Sequence, residues 1–377
     1  MRGVRGLARG GRGRPGRVHG RARRARADRP RRWRRVSDLL RHVERQYWER
    51  NQLHALILEL THRCPCRCRH CYVVPSGQTD ELSTDEVTDL LDQARDEGVF
   101  HLVLTGGEVF LRDDLEPILA HARSHRFLVS VLTSGLTVDA SGAAMLARHR
   151  VAAVELSLLG ATEPVNDDLM RRPGALARIR TATAHLVRAG LRVTLKATVM
   201  APNRHELAAM ADLARGLGAA FHASPLLAPR REEGDPLDEL ALPEREIAAL
   251  DPALLGGGLI PGEDAGGGAV LVCKAGRTVA GVSAAGDVYP CIMWPRTVGN
   301  VRERSLKDIW HDAPDPFLTG LRAVGEHDLT ACAGCEHRLE CRRCPGMAWQ
   351  ETGSHTAPGE RFCAAAGARA EVDIRPL

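Results

Sequence analysis

Between residues 53 and 227, short runs of leucine and β-branched residues alternate with longer Ala/Leu/Arg stretches whose apolar positions recur at helical spacing. This is the pattern of βαβ units, in which strands are joined through helices into a parallel sheet. Six strands are predicted, over 55–60, 101–104, 128–132, 153–158, 192–197 and 220–225, with helices between them. The helix starts are chemically marked. Ser83-Thr84-Asp85-Glu86 sets a capping hydroxyl and acids ahead of Val87, Leu90 and Leu91, and Asn203 stands before a helix expected over 205–216.

Each of the first four strands ends in an unusual group. A cysteine cluster follows the first, Gly106-Gly107-Glu108 the second and Thr133-Ser134-Gly135 the third, and Ser157 lies near the end of the fourth. Ligands of parallel α/β sheets bind at the carboxyl ends of strands, so these features are expected to converge on one site. The pattern then changes. Residues 229–269, with Pro229, Pro236 and two glycine clusters, read as a linker containing one short helix near 242–250. Residues 270–377 hold seven of the 11 cysteines and little apolar periodicity, so their fold is expected to depend on metal.

A chain of 377 residues, 44% apolar and 26% charged, has length for about two domains and enough apolar content for a core. The net charge of +5 is unevenly spread: residues 1–35 hold 15 arginines and one acid, Asp28, leaving −9 for residues 36–377. Residues 1–36 read as a disordered Arg-rich tail, which lacks the apolar content to fold and fits a start codon assigned too early. A nucleic-acid or acidic-membrane arm is the other reading of such a run. Residues 37–52 read as an N-terminal helix. Arg34-Arg35 is followed by the polar stretch 36–42, not the apolar segment of an export signal, and no run is long enough to span a membrane. A cytoplasmic location is expected, where 11 reduced thiols point to metal ligation over disulfides.

Residues 64–71 read Cys-Pro-Cys-Arg-Cys-Arg-His-Cys, and Cys64, Cys68 and Cys71 have the spacing CxxxCxxC. Three thiolates on one loop can hold three irons of a 4Fe-4S cube and leave the fourth open to a substrate or cofactor. Zinc, the alternative, usually takes four ligands in two separated pairs. With Gly106-Gly107-Glu108 closing the second strand, the motif resembles the radical S-adenosylmethionine (SAM) superfamily over about residues 53–228. The resemblance implies a partial (β/α)6 TIM-type barrel. It also implies that Cys64, Cys68 and Cys71 ligate a 4Fe-4S cluster and that Gly106, Gly107 and Glu108 bind SAM, which is reductively cleaved to a 5′-deoxyadenosyl radical. By the same resemblance His70 and Tyr72 flank the last ligand as cofactor-binding residues, the one just before it lying against the adenine, and Ser134 and Ser157 stand where ribose or carboxylate contacts occur. Lys196, in the fifth strand, is expected to face the barrel, toward the SAM carboxylate, or to reach outward to solvent. Cys66 departs from the family pattern and is read as a bystander, the alternatives being a competitor for iron or a hydrogen-atom donor to a substrate radical.

Farther on, Cys273 and Cys291 flank Gly286, followed by Cys332-x2-Cys335-x5-Cys341-x2-Cys344 and then Cys363. Taken alone, the two CxxC pairs suggest a zinc ribbon, but seven ligands do not divide into fours. With the stretch 299–310 between the cysteine groups, the pattern resembles the SPASM extension of radical SAM enzymes. That resemblance implies two auxiliary iron-sulfur clusters, an outer one on Cys332, Cys335, Cys341 and Cys363 and an inner one on Cys273, Cys291 and Cys344. It further implies hydrogen abstraction from a ribosomally made precursor peptide or protein, giving a crosslink, thioether or epimer, with a low-potential electron donor. Only residues 37–52 precede the barrel, so a peptide-recognition module is expected as a separate protein. The alternatives are a small-molecule or tetrapyrrole substrate, maturation of another enzyme as sulfatase-maturing relatives perform it, and, from a different class, a zinc protein that binds nucleic acid.

Overall fold

The computed structural model describes residues 42–72, 80–228, 237–250, 254–255, 273–294, 296–338, 341 and 343–370. Two units are distinguished, 1–45 and 46–377. The expected tail over 1–36 and most of the linker over 229–269 lie outside the described residues, and the expected N-terminal helix is seen over 42–49 (α1).

Six strands form the barrel wall: β1 (Ala55–Glu59), β2 (His101–Thr105), β3 (Leu128–Thr133), β4 (Ala153–Ser157), β5 (Val193–Thr198) and β6 (Ala220–Ser224). Each boundary lies within one residue of the sequence expectation. The strands alternate with α2 (Thr84–Asp96), α3 (Leu115–Ser124), α4 (Ala140–Arg148), α5 (Glu163–Met170), α6 (Ala175–Arg188) and α7 (Leu207–Gly216), and every strand pairs in parallel with its successor. One set of alternate positions, including Leu56, Leu58, Leu102, Leu104, Val129, Val131, Val154 and Leu156, packs with Val87, Leu91, Ile118 and Ile179 of the helices in the main core. Burying each such leucine contributes about 1.5–3 kcal/mol before the entropy of ordering is charged against it. The opposite set lines the concave face, where Ala55, Ile57 and Val103 form a smaller cluster with Val279 and Ile292.

Local chemistry fixes the helix starts. The Ser83 hydroxyl accepts from the Glu86 amide at 3.2 Å and the Glu86 carboxylate accepts from the Ser83 amide at 2.7 Å, a complete capping box worth about 1 kcal/mol. Asn203 differs from expectation. Fully buried, it turns away from the helix, accepting from the Met200 amide at 2.7 Å and donating to the carbonyls of Leu159 and Thr198, both at 2.9 Å. It ties the ends of β4 and β5 together, and α7 begins only after a 3-10 turn. The helix expected near 242–250 is α9 (Glu244–Ala248), which starts after Pro243, and a further short helix, α8 (Leu237–Leu240), precedes it.

The cysteine-rich segment does more than fold around metal. β7 (Val279–Val282) pairs in parallel with β1, and β8 (Asp287–Tyr289) and β9 (Gly299–Asn300) follow antiparallel, giving one nine-stranded sheet of order β6-β5-β4-β3-β2-β1-β7-β8-β9. Arg302, just beyond β9, reaches back to Glu86 at 2.7 Å and Asp80 at 2.9 Å, joining this segment to the start of α2. The remainder carries α10 (Pro316–Ala323), α11 (Thr330–Ala333), α12 (Pro345–Thr352) and α13 (Glu360–Ala370). Among the described residues no helix is long and apolar enough to cross a membrane.

Candidate active site

The first cysteine loop is bound directly to the glycine motif. After β1 and β2 part, the Leu60 amide donates to the Thr105 carbonyl (2.8 Å), the Gly107 amide to Thr61 (2.7 Å) and the Glu108 amide to Arg63 (2.8 Å). Glycine is needed here because the two backbones touch. Gly106 has φ +132°, and a Cβ on it would lie 2.5 Å from the Thr61 oxygen; one on Gly107 would collide with the Arg63 carbonyl and sit 2.9 Å from the His62 oxygen. Arg112, buried, braces the same loop from below by donating to the Leu60 and Leu82 carbonyls at 2.9 and 2.8 Å. The Glu81 carboxylate accepts from the Thr61 hydroxyl (2.6 Å) and the His62 amide (2.8 Å).

Two residues assigned to the cofactor by sequence meet each other. Glu108 is 1% exposed, and its carboxylate accepts from the Thr133 hydroxyl (2.6 Å), the Ser134 amide (2.9 Å), the Ser134 hydroxyl and the Phe110 amide (3.3 Å). Burial pushes this carboxyl above its ordinary range, and the donors from Ser134 and Thr133 pull against that. Its side chain thereby locks the end of β2 to the end of β3. Ser157, at the end of β4, stands opposite Lys196 in the register.

Cys64 and Cys68 are half-buried and Cys66, between them, is 2% exposed within the core. The Cys66 amide donates to the Cys64 sulfur at 3.5 Å, and the Cys66 thiol contacts both Cys64 and Cys68. Contact with Cys66 together with burial pushes the Cys64 thiol upward. Cys66 is pushed up to about 12, contact with Cys68 and burial outweighing the lowering contact with Cys64. Cys64 and Cys68 stand on one loop, joined through Cys66, and thiolates gathered in this way are the donors an iron-sulfur cluster takes, so these residues fit such a group. Cys66 itself is buried in the core, away from solvent. The loop returns through α5: the amides of Arg67 and Arg69 donate to Met170 and Leu169, and Arg69 pairs with Asp168 at 2.9 Å. The Cys71 amide donates to the Cys68 carbonyl at 3.2 Å, and His70 is half-buried. Tyr72 packs on the concave cluster and donates to Glu59 at 3.3 Å, so it belongs to the barrel wall. His62, not singled out from the sequence, is 9% exposed with an Nε2 that has no hydrogen-bond partner among the described residues. Its place two residues before Cys64 is the signal that could have marked it.

Beneath the loops the concave face is polar. Lys196 of β5 donates to Glu155 of β4 at 2.9 Å, and Glu155 is 7% exposed. His101 of β2 meets the Ser130 hydroxyl at 3.1 Å, and burial lowers its pKa. Lys196 therefore faces the barrel. Glu59, His101 and Glu155 were missed because ionisable residues within strands pass for ordinary alternation; four inward positions carrying charge or imidazole is the pattern that distinguishes them.

Six of the seven later cysteines can be grouped by what surrounds them. Burial and the adjoining sulfurs of Cys363, Cys332 and Cys335 push the Cys341 thiol upward, placing these four together. Cys273 and Cys291 pack instead against the buried Trp294, with Phe317 and Trp349. Cys344 stands at the cap position just before α12, and Gly346 lies so close that a Cβ would stand 3.0 Å from the Met293 oxygen. Arg343, buried and donating to the carbonyls of His355 and Ala357, carries its charge among Cys332, Cys344, Cys341 and Cys273.

Residues 58–214 match the radical SAM superfamily model, and residues 273–345 match that of the SPASM iron-sulfur cluster-binding domain. Mycofactocin maturase MftC of Mycobacterium ulcerans is 32% identical over 305 residues, 76% of this chain and 81% of that one. PqqA peptide cyclase of Methylocella silvestris is 28% identical over 310 residues, covering 77% and 79%. The crystal structure of Streptococcus suis SuiB bound to precursor peptide SuiA superposes with a TM-score of 0.66 at 17% identity, covering 86% of this chain and 79% of SuiB, and shares the fold. With the cysteine loop seated on the glycine motif and a second cysteine-rich segment built into the same sheet, the chain belongs to the radical SAM superfamily, enzymes that work with SAM on a 4Fe-4S cluster, and carries the SPASM extension with its auxiliary iron-sulfur clusters.

Proposed function

We propose that this enzyme abstracts hydrogen from a ribosomally made precursor peptide and leaves it crosslinked, thioether-bridged or epimerised. The observation that carries this reading is similarity to a maturase and to a peptide cyclase through three quarters of the chain, across both the barrel and the cysteine-rich segment. In this reading Cys64, Cys68 and Cys71 hold the SAM-binding cluster. Cys332, Cys335, Cys341 and Cys363 hold the outer auxiliary cluster, and Cys273, Cys291 and Cys344 the inner. When bound, SAM and its cluster supply the hydrogen-abstracting radical, and the auxiliary clusters supply electron acceptors across the wide range of potentials such clusters span.

The protein's own share is placement. Glu108, held by Thr133 and Ser134, keeps the ends of β2 and β3 at fixed separation, and Gly106 and Gly107 let the glycine motif seat directly on the backbone of the cysteine loop. Lys196 and Glu155, with Tyr72 and Glu59, form the polar part of the wall against which the substrate residue would rest.

The test is anaerobic co-expression in heavy water with the peptide encoded by the nearest short open reading frame, followed by mass spectrometry. Loss of two hydrogens means an oxidative crosslink, and one deuterium retained at a backbone carbon means epimerisation. An unaltered peptide, from an enzyme that still cleaves SAM in its presence, would overturn the peptide reading in favour of a small-molecule or tetrapyrrole substrate.

A further inference from the structure

On the outer face of the barrel, away from the concave wall and the cysteine loops, α2 and α3 bring three metal-ligating groups to one point. His121 and His125 are one turn apart at the end of α3 and share a face. Both turn their Nε2 atoms onto the same oxygen of Asp92 on α2, at 2.9 and 2.8 Å, with ring centroids 4.6 Å apart. All three ligand atoms lie within 4.8 Å of one another, and the side chains are 27%, 20% and 45% exposed, open enough to admit an ion. With ligands at right angles, as in the tetragonal sites nickel takes, bonds of about 2.1 Å give edges of about 3.0 Å, close to the nitrogen-to-oxygen spacings of 2.9 and 2.8 Å already present.

We propose that Asp92, His121 and His125 bind one divalent first-row transition-metal ion of the zinc or nickel class through two imidazole nitrogens and one carboxylate oxygen, with water completing the shell. Imidazole suits these ions, and two histidines with a carboxylate leave positions open. Both rings bind as neutral imidazoles with the proton on Nδ1, so hydrogen bonds to Asp92 are exchanged for metal bonds and no oxidation state changes. One neighbour opposes this. Arg95 donates to the Nδ1 of His125 at 3.0 Å, which selects the tautomer with its proton on Nε2. When metal enters, Arg95, 43% exposed and also paired with Asp96, must swing aside. The bound ion would then link α2 to α3 directly.

The experiment uses the anaerobic holoenzyme with its iron-sulfur clusters intact, dialysed against micromolar Ni²⁺ and measured for nickel and iron. The wild type should hold one nickel per chain more than either His121→Ala or His125→Ala, with iron and SAM cleavage unchanged in all three. Changes outside the first ligand shell already weaken metal binding by about 10–100-fold, so removing one of three ligands should weaken it by at least about tenfold. Arg95→Gln should tighten it several-fold. Equal nickel in wild type and both histidine variants, with iron intact, would overturn the site; an unchanged affinity in Arg95→Gln would overturn the tautomer argument.

Discussion

Replacing Gly107 by alanine tests whether the glycine motif and the cysteine loop form one mechanical unit. The added Cβ would stand 2.7 Å from the Arg63 carbonyl carbon and 2.9 Å from the His62 oxygen, all of it backbone that cannot rotate away. Carbon atoms rest at about 3.5–4.0 Å, so the loop must withdraw by about 1 Å. Such a withdrawal breaks the bonds from Gly107 to Thr61 (2.7 Å) and from Glu108 to Arg63 (2.8 Å). Each bond is worth about 1 kcal/mol and overpacking adds about 1–3 kcal/mol, so a loss of about 3–5 kcal/mol is expected. Because Cys64 follows Arg63 directly, iron should fall as well. The assay is denaturant unfolding of anaerobic protein with iron analysis, with Gly216→Ala as control. Gly216 lies in α7 with nothing within 4 Å of an added Cβ, so alanine there should be neutral or stabilising by up to about 1 kcal/mol. A Gly107→Ala protein as stable and iron-replete as the wild type would refute the argument.

Four further outcomes are expected. His54, packed between the rings of Tyr47 and Phe100, has its pKa lowered by burial from 6.5 to about 4. Between those values the unfolded chain binds a proton that the folded chain refuses, so stability rises with pH through this window by about 3 kcal/mol. In His54→Gln, urea midpoints measured across that window should lose much of their slope; an unchanged slope would reject the assignment. Trp294→Ala should destabilise by about 3–5 kcal/mol, because Trp294 is 1% exposed. It should also lower iron through Cys273 and Cys291, which differential unfolding and iron analysis would read together. Lys196→Met leaves Glu155 buried without its cation and should cost about 1–3 kcal/mol, most of it recovered in the double variant with Glu155→Gln. Arg302→Ala, at a surface pair, should change unfolding by no more than about 1 kcal/mol, and a larger loss would mean that the link to α2 carries more than screened charge.

The barrel was legible because buried parallel strands read as short apolar runs, and such runs, buried at every position in β1 and β2, recur with every βα unit. The same physics explains what stayed hidden. Asn203 has the residue type of a helix cap, and only the tertiary structure reveals that its amide is consumed by the carbonyls of Leu159 and Thr198. Glu108 was legible as part of a motif, but not its engagement by Thr133 and Ser134, which depends on β2 and β3 ending level with each other.

The least legible element, β7, matters most for how the cysteine-rich segment meets the barrel. Val279-Ala280-Gly281-Val282 is four residues long, too short for a period to register, and its glycine weakens any strand propensity. That glycine is there for packing: a Cβ on Gly281 would press within 2.9 Å of Ile292 and 3.0 Å of its amide. β7 and β8 run antiparallel, with Gly281 facing Tyr289 and Val282 facing Val288, so the start of β7 and the end of β8 lie at the same end of the pair. Cys273 precedes that start and Cys291 follows that end. Two of the three proposed inner-cluster cysteines are therefore mounted on a hairpin whose first strand is hydrogen-bonded along β1, the strand that leads into the Cys64 loop. The pairing of β7 along β1 thus fixes where the hairpin that carries Cys273 and Cys291 stands relative to the strand that leads into Cys64.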